Sequence, residues 1–357
     1  MMLDRVILED FRNHAASALG GAGRFNLLVG DNGAGKTNVL EAISLLAPGR
    51  GLRRAALSEM SRGHAIGPGG GFAVSARLGE VALGTAVRTA QPGRRVVHVN
   101  GAESSAGRLA EWLSLAWLTP AMDRLFTDSA GARRRFLDRL ALALDPGHAG
   151  HAARYEAALR ERNRLLGGEA EPDPAWLDAL EAQLAETGAA LGAARASLVA
   201  RLDEALREAP EQPFARPSLC YPAAPSADAL RAALSAGRRR DRAVGRTLDG
   251  PHRDDLAVSL AAKDRAAAEC STGEQKAMLI AIVLAHASLG DNARPRVLLL
   301  DEVAAHLDPL RRAALFERLR ETPGQYWLTG TELAPFAEIA AEAAVWRVSD
   351  GAVERLS

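Results

Sequence analysis

The chain has 357 residues, 44 Lys and Arg against 44 Asp and Glu, and two cysteines. An apolar share of 48% excludes a mainly disordered chain. Cys220 and Cys270 can make at most one bridge, which excludes a disulfide scaffold and suits reduced thiols. No stretch reaches the roughly 18 apolar residues of a membrane span, and residues 1–10 lack a secretory apolar core, so the expected location is the cytoplasm. The balanced charge argues against a wholly basic nucleic-acid coat but leaves room for a local basic face.

In chain order, residues 3–9 predict a strand and 25–29 a buried strand. A Gly-rich turn and a helix over 36–46 follow. Residues 72–78, 81–89 and 95–99 alternate apolar with small or polar residues, an antiparallel meander pattern. From 129 to 208, Leu and Ala recur at spacing three and four among Arg and Glu, which predicts helices with a break at 167–174. Prolines at 210, 213, 217, 222 and 225 break the pattern again. Then come a strand at 256–260, a helix at 273–289, a strand at 296–300, a helix at 309–320, and strands at 326–329 and 344–348. The class is therefore α/β at both ends with a helical insertion of roughly 130 residues. The expected division is a first lobe of 1–124 and 262–357 and a helical second lobe of 125–261. Heptads are not sustained, so no long coiled coil is expected.

Gly30-Asp31-Asn32-Gly33-Ala34-Gly35-Lys36-Thr37 fits G-x-x-x-x-G-K-[ST] at every fixed position, between an apolar strand and a helix. Glycines let backbone N–H groups wrap a β-phosphate, and the helix N-terminus adds partial positive charge. Lys36 brings a mobile charge to the β- and γ-phosphates, and the Thr37 hydroxyl suits Mg²⁺. With Asn38, these residues are the expected ATP cradle. Val297-Leu298-Leu299-Leu300-Asp301-Glu302 is an apolar strand ending in two carboxylates. Asp301 would hold Mg²⁺ through water, and Glu302 would polarise the attacking water as general base.

Cys270-Ser271-Thr272-Gly273-Glu274-Gln275-Lys276, about 25 residues before Asp301, resembles the L-S-G-G-Q signature of ABC-type ATPases. Ser271 would cap the helix with its hydroxyl facing a γ-phosphate; Gly273, Glu274 and Gln275 complete the motif. His306-Leu307-Asp308-Pro309 stands where such proteins carry their D-loop, which makes Asp308 a nucleotide-side candidate. In that class the signature of one subunit closes on nucleotide held by the other, so the resemblance implies an ATP-dependent homodimer and the fold of an ABC-type head: a P-loop mixed sheet with an antiparallel meander.

The match is narrower than that class. Asp10-Phe11-Arg12-Asn13-His14, Arg133-Arg134-Arg135-Phe136-Leu137-Asp138, residues 155–166 and Thr247-Leu248-Asp249-Gly250-Pro251-His252-Arg253-Asp254-Asp255 resemble the RecF family of bacterial DNA replication and repair ATPases. The absence of a long coiled coil separates it from SMC-type proteins. The family implies binding of gapped duplex and single-strand/double-strand junctions, work with RecO and RecR, RecA loading, and slow, DNA-stimulated ATP hydrolysis. The sequence departs from transporter ATPases in two places. Trp327-Leu328-Thr329-Gly330-Thr331 stands where a switch His is usual, leaving Thr329 or Thr331 to sense the γ-phosphate. Thr119-Pro120-Ala121-Met122-Asp123 replaces a Q-loop, with Asp123 a metal or water contact.

Arg12 and Asn13 are nucleotide contacts or turn formers. Arg50, Arg53 and Arg54 stabilise phosphate charge, touch DNA, or form a solvated loop. Arg133, Arg134 and Arg135, and the run of Arg238, Arg239 and Arg240, are phosphate-backbone contacts or solvated helix faces paired with Asp138 or Asp241. His252 and Arg253 serve an internal interface or a nucleotide- or DNA-linked role. With 4% aromatic residues, base stacking is not expected, so DNA binding would follow structure rather than sequence. The alternatives to a DNA-clamping ATPase are a transporter-type ATPase subunit and a scaffold that binds ATP with little turnover.

Overall fold

The computed structural model describes residues 1–63, 70–290 and 294–357. It divides into two compact units: Met1–Asp123, Gln212–Phe214 and His286–Ser357 in the first, Arg124–Glu211 and Ala215–Ala285 in the second.

The first unit holds two sheets. Strands β1 (Leu3–Phe11) and β2 (His14–Gly20) form a hairpin across the two-residue turn Arg12-Asn13, with Phe11 paired to His14. Strand β3 (Phe25–Val29) enters the second sheet and leads to helix α1 (Lys36–Ser44). Strands β4 (Phe72–Leu78), β5 (Val81–Arg88), β6 (Gln91–Val99) and β7 (Ala102–Ser104) complete an antiparallel sheet of order β2-β1-β4-β5-β6-β7. Its alternating pattern follows from one buried face: Leu3, Val6, Leu8 and Phe11 of β1 point inward, with Phe11 edge-on to Phe72 at 5.2 Å.

The second unit holds helices α2 (Ala130–Leu144), α3 (His148–Leu166), the 35-residue α4 (Pro174–Glu208), α5 (Ala227–Ala236) and α6 (Arg238–Val244). Ser129 caps α2, and Asp173 caps α4 ahead of Pro174 at its first turn. Tyr155, Leu184, Leu191, Leu230 and Leu234 form its core. Arg162, fully buried, bonds Glu181 at 3.1 Å, Asp241 and Thr247 at 2.8 Å each, and the Leu234 carbonyl, so its charge is compensated on every side. A small sheet of β9 (Pro217–Cys220), β10 (Ala257–Leu260) and β11 (Arg265–Ala266) flanks the helices. Helix α7 (Thr272–Leu289) carries the chain back to the first unit, which it re-enters at His286.

There follow β12 (Arg296–Leu300), helix α8 (Pro309–Glu321), β13 (Gln325–Gly330), β14 (Ala343–Ser349) and β15 (Ala352–Arg355). With β8 (Ser114–Leu118) they build the second sheet, of order β15-β14-β3-β13-β12-β8 and parallel except at the β15 edge. Every residue of β3, β8 and β13 is buried, as expected for parallel strands covered on both faces. One core cluster contains Leu8, Leu28, Val39, Ile43, Leu299, Trp327 and Trp346, so the two sheets and α1 share it.

The sequence reading assigns residues 262–285 to the first lobe. In the structure they pack in the second unit, because β10 pairs with β9 on one side and β11 on the other. Strand β8 has no counterpart in that reading: its apolar run Ser-Leu-Ala-Trp-Leu lacks the alternation that marks a half-buried strand. Cys220 and Cys270 are both free thiols.

Candidate nucleotide-binding site

Strands β3, β13 and β12 run side by side and parallel, so their carboxyl ends open on one edge of the sheet. In open α/β sheets that edge is where ligands bind. The loop of residues 30–35 follows β3, Asp301 and Glu302 follow β12, and Thr329 lies near the end of β13 between them.

Side chains join these three ends. Thr37 Oγ1 donates to Asp301 Oδ1 at 2.9 Å, and Thr329 Oγ1 donates to the same oxygen at 2.8 Å. The Glu302 N–H in turn donates to Thr329 Oγ1 at 2.9 Å. Burial pushes the Asp301 carboxyl up, the two threonine hydroxyls pull it down, and the neighbouring Glu302 charge pushes it up again. Glu302 itself has φ 53, a left-handed conformation that costs a non-glycine residue about 1–3 kcal/mol. The bond from its N–H to Thr329 helps hold it there. Thr329 thus holds the Asp301 carboxylate and the backbone of Glu302.

Lys36 is buried and donates from Nζ to the carbonyls of Gly30 at 2.6 Å and Asp31 at 2.8 Å. Burial pulls its ammonium pKa down, while the charges of Glu302, Asp301 and Asp31 act to raise it. Gly35 has φ 118, and a Cβ there would lie 2.7 Å from His14 Nε2 and 2.8 Å from the Asn13 amide. The reason is that the β1–β2 turn is bonded beneath the loop. Asn13 Nδ2 donates to the Ala34 carbonyl at 2.9 Å, Asn38 Nδ2 to Asn13 Oδ1 at 2.7 Å, and His14 Nε2 lies 3.1 Å from the Gly35 carbonyl. Arg12, with φ 56, bonds Glu41 through Nε at 2.9 Å and Nη2 at 2.8 Å, and Nη1 donates to the Glu59 carbonyl. Glu41 escapes the sequence reading, and His14 figures there only as part of the Asp10–His14 motif. A carboxylate in mid-helix looks like an ordinary solvated charge until burial shows otherwise.

Arg53 donates from Nη1 to Asn38 Oδ1 at 2.6 Å and to Glu41 Oε2 at 2.8 Å. These bonds place it beside Asn38 and Glu41 of α1, next to the phosphate loop. Arg54 is exposed with φ 58. Asp123 lies in the turn Pro120–Arg124 after β8, and the Asp301 N–H bonds the last carbonyl of β8 at 2.9 Å. Asp308 is the N-cap of α8, accepting from the Arg311 N–H at 2.9 Å.

The signature lies in the second unit. Ser271 and Glu274 make a reciprocal cap: the Ser271 N–H and Oγ each donate to Glu274 Oε2 at 2.9 Å, and Glu274 N–H to Ser271 Oγ at 3.3 Å. The Lys263 ammonium and the Ser271 groups hold the Glu274 carboxyl down to about 2. Gln275 is buried and donates to the Cys270 carbonyl at 2.8 Å, so its side chain braces the loop. Gly273 has open space where a side chain would stand, so no packing within the chain requires glycine.

The basic runs are less free than the sequence suggested. Arg133 pairs with both oxygens of Asp255, at 2.7 and 2.6 Å, and Arg134 donates to the Asp254 carbonyl. Asp138 pairs with Arg195 and His148 instead of this run. Arg238 pairs with Glu181 and Asp178, and Arg240 with Asp249 and Asp241. Arg135 and Arg239 are exposed. His252 is internal: Tyr155 Oη lies 2.7 Å from Nδ1, and Nε2 bonds the Thr247 carbonyl at 3.0 Å.

Residues 2–332 match the family model of the RecF/RecN/SMC N-terminal domain. The chain is 47% identical over 370 residues to the DNA replication and repair protein RecF of Rhizobium leguminosarum bv. trifolii, covering 98% of each. The chain belongs to the RecF family. The RecF of Mesorhizobium japonicum is 48% identical to it, over 98% of this chain and 97% of that one. This RecF-family chain also shares the fold of the recombination mediator RecF solved with ATPrS, with a TM-score of 0.84 at 23% identity over 99% of this chain and 98% of that one.

Proposed function

We propose that this RecF-family chain is an ATP-switched DNA-binding protein of replication and recombinational repair. The observation that carries the reading is the hydrogen-bonded path from Thr37 through Asp301 and Thr329 to the backbone of Glu302. It ties the phosphate loop to the Asp301 carboxylate and to the backbone that carries Glu302, the constellation a nucleotide triphosphatase needs.

Backbone N–H groups of residues 30–38 would cradle the phosphates of ATP, and Lys36 would exchange its loop carbonyls for phosphate oxygens. Mg²⁺ fits the corner made by the Thr37 hydroxyl and the buried Asp301 carboxylate, because this ion takes one or two protein oxygens and fills its octahedron with phosphate and water. When bound it would neutralise charge on the β- and γ-oxygens. Glu302 would accept a proton from the attacking water while the β,γ bond breaks and ADP leaves. Asp123 would contact the metal's water shell. Arg12, Asn13 and Arg53 would bear on nucleotide. Ser271 and Gly273 of a second copy would meet the γ-phosphate, with Glu274, Gln275 and Asp308 shaping that contact. ATP binding then closes a homodimer on gapped duplex or a single-strand/double-strand junction, and slow hydrolysis, stimulated by DNA, releases it. A role in replication and repair is supported by the likeness to the Rhizobium protein, and RecO and RecR as partners by the likeness to a recombination mediator of the RecFOR pathway; RecA loading would be the outcome.

Sedimentation tests the switch. The chain is expected to be a dimer with ATP and Mg²⁺, and Ser271→Arg is expected to remain a monomer while still binding ATP. A wild-type chain that stays monomeric with ATP, Mg²⁺ and gapped DNA would sink the dimer mechanism. The DNA face is tested by salt titration. Arg239→Ala should lower the log–log salt slope of DNA binding by about one, as expected for the loss of one phosphate contact. Arg133→Ala should leave that slope unchanged and cost up to about 1 kcal/mol of stability, because its bidentate pair with Asp255 is partly screened by solvent.

A further inference from the structure

We propose that Glu41 is a positioning residue for the terminal phosphate, holding Arg53 and the Arg12–Asn13 turn in place beside the phosphate loop; this deepens, and rests on, the ATP reading above. Glu41 sits on α1 one turn beyond Thr37, and its side chain is 0% exposed. A buried carboxylate is costly unless it is paired, so its presence on this helix calls for a reason.

Both its oxygens are used. Oε2 accepts from Arg12 Nε at 2.9 Å and from Arg53 Nη1 at 2.8 Å, and Oε1 accepts from Arg12 Nη2 at 2.8 Å. Arg53 Nη1 also donates to Asn38, Asn38 to Asn13, and Asn13 to the Ala34 carbonyl, so the chain of bonds ends on the loop itself. Two guanidiniums against one carboxylate leave the trio itself with a net positive charge. Exposure grades along the trio: the Arg12 side chain is 16% exposed and that of Arg53 40%. Arg53 is therefore anchored through one nitrogen while its outer face meets solvent. Its charge is also felt at the Asp301 carboxyl, where it acts to lower the pKa. Without Glu41 the two guanidiniums would repel each other, and Arg53 would lose the anchor that keeps it near that corner.

The test is the ratio of ATP to ADP affinity, measured with fluorescent analogues of both nucleotides in the full-length chain, beside thermal unfolding. Glu41→Gln keeps the size but presents an amide N–H₂ where one guanidinium requires an acceptor. Glu41→Gln and Arg53→Ala are each expected to reduce the ATP-over-ADP preference about tenfold, the scale of one charge-assisted bond. The double variant is expected to lose no more than either single one. Should Glu41→Gln fail to fold, Glu41→Asp keeps the charge at shorter reach and is expected to lower the same ratio. A variant that melts earlier with the ratio unchanged, or losses that multiply in the double variant, would overturn the proposal. A wild-type chain that binds neither nucleotide would instead overturn the ATP reading.

Discussion

Glu302→Gln is expected to slow ATP hydrolysis by about 10²–10⁴-fold, the usual worth of a positioned general base, and to leave the ATP-bound dimer on DNA long after the wild type has dissociated. The substitution is nearly isosteric, so the strained backbone at φ 53 and the bond from its N–H to Thr329 are kept. What is lost is a carboxylate able to take a proton from water. Asp301, Thr37 and Lys36 are untouched, so nucleotide affinity should hold. Phosphate release after mixing with ATP, followed by chase of the dimer from gapped DNA, reads both effects. Unchanged turnover would move the base elsewhere. Slow turnover with wild-type release would separate hydrolysis from opening.

Gly35→Ala is expected to lower ATP affinity about 100-fold or more. Two costs add. The position has φ 118, outside the conformations an L side chain adopts readily, and the new Cβ would lie under 3 Å from His14 and Asn13. Relief requires the loop to lift from the β1–β2 turn, which breaks the bonds from Asn13 to Ala34 and from His14 to Gly35. Together these come to about 3 kcal/mol, drawing on the usual penalties for left-handed strain and overpacking. At ~2–4 °C per kcal/mol in large domains, a cost of this size would lower the melting temperature by about 6–12 °C. Isothermal titration with ATP and Mg²⁺ decides the matter, and wild-type affinity would mean that the turn does not brace the loop.

The phosphate loop and the Asp301–Glu302 pair were legible because their chemistry is local. A phosphate-binding turn needs glycines, a lysine and a hydroxyl at fixed short spacing, and a strand end needs only an apolar run before its acids. The signature was readable through its resemblance to a known motif. The same local logic placed the helices of the second unit, where Leu and Ala recur at spacing three and four. It does not reach what lies across the fold. The sequence offers Arg133 as a DNA contact or a paired helix-face residue, and only the fold shows its fork on Asp255, distant in sequence. That the Gln275 side chain turns inward to brace the Cys270 carbonyl is likewise set by the fold.

By itself, then, the sequence determined the α/β class, the helical insertion and the residues of the loop and the two carboxylates, because periodicity and glycine placement are properties of neighbouring residues. Only the tertiary structure decided that β13 lies between β3 and β12, which brings Thr329 to the Asp301 carboxylate and the Glu302 backbone. It alone put the Arg12–Asn13 turn under the loop and Glu41 between two arginines. Strand order and burial arise from long-range packing, and a charge costs little on a surface but must be paired once it is buried.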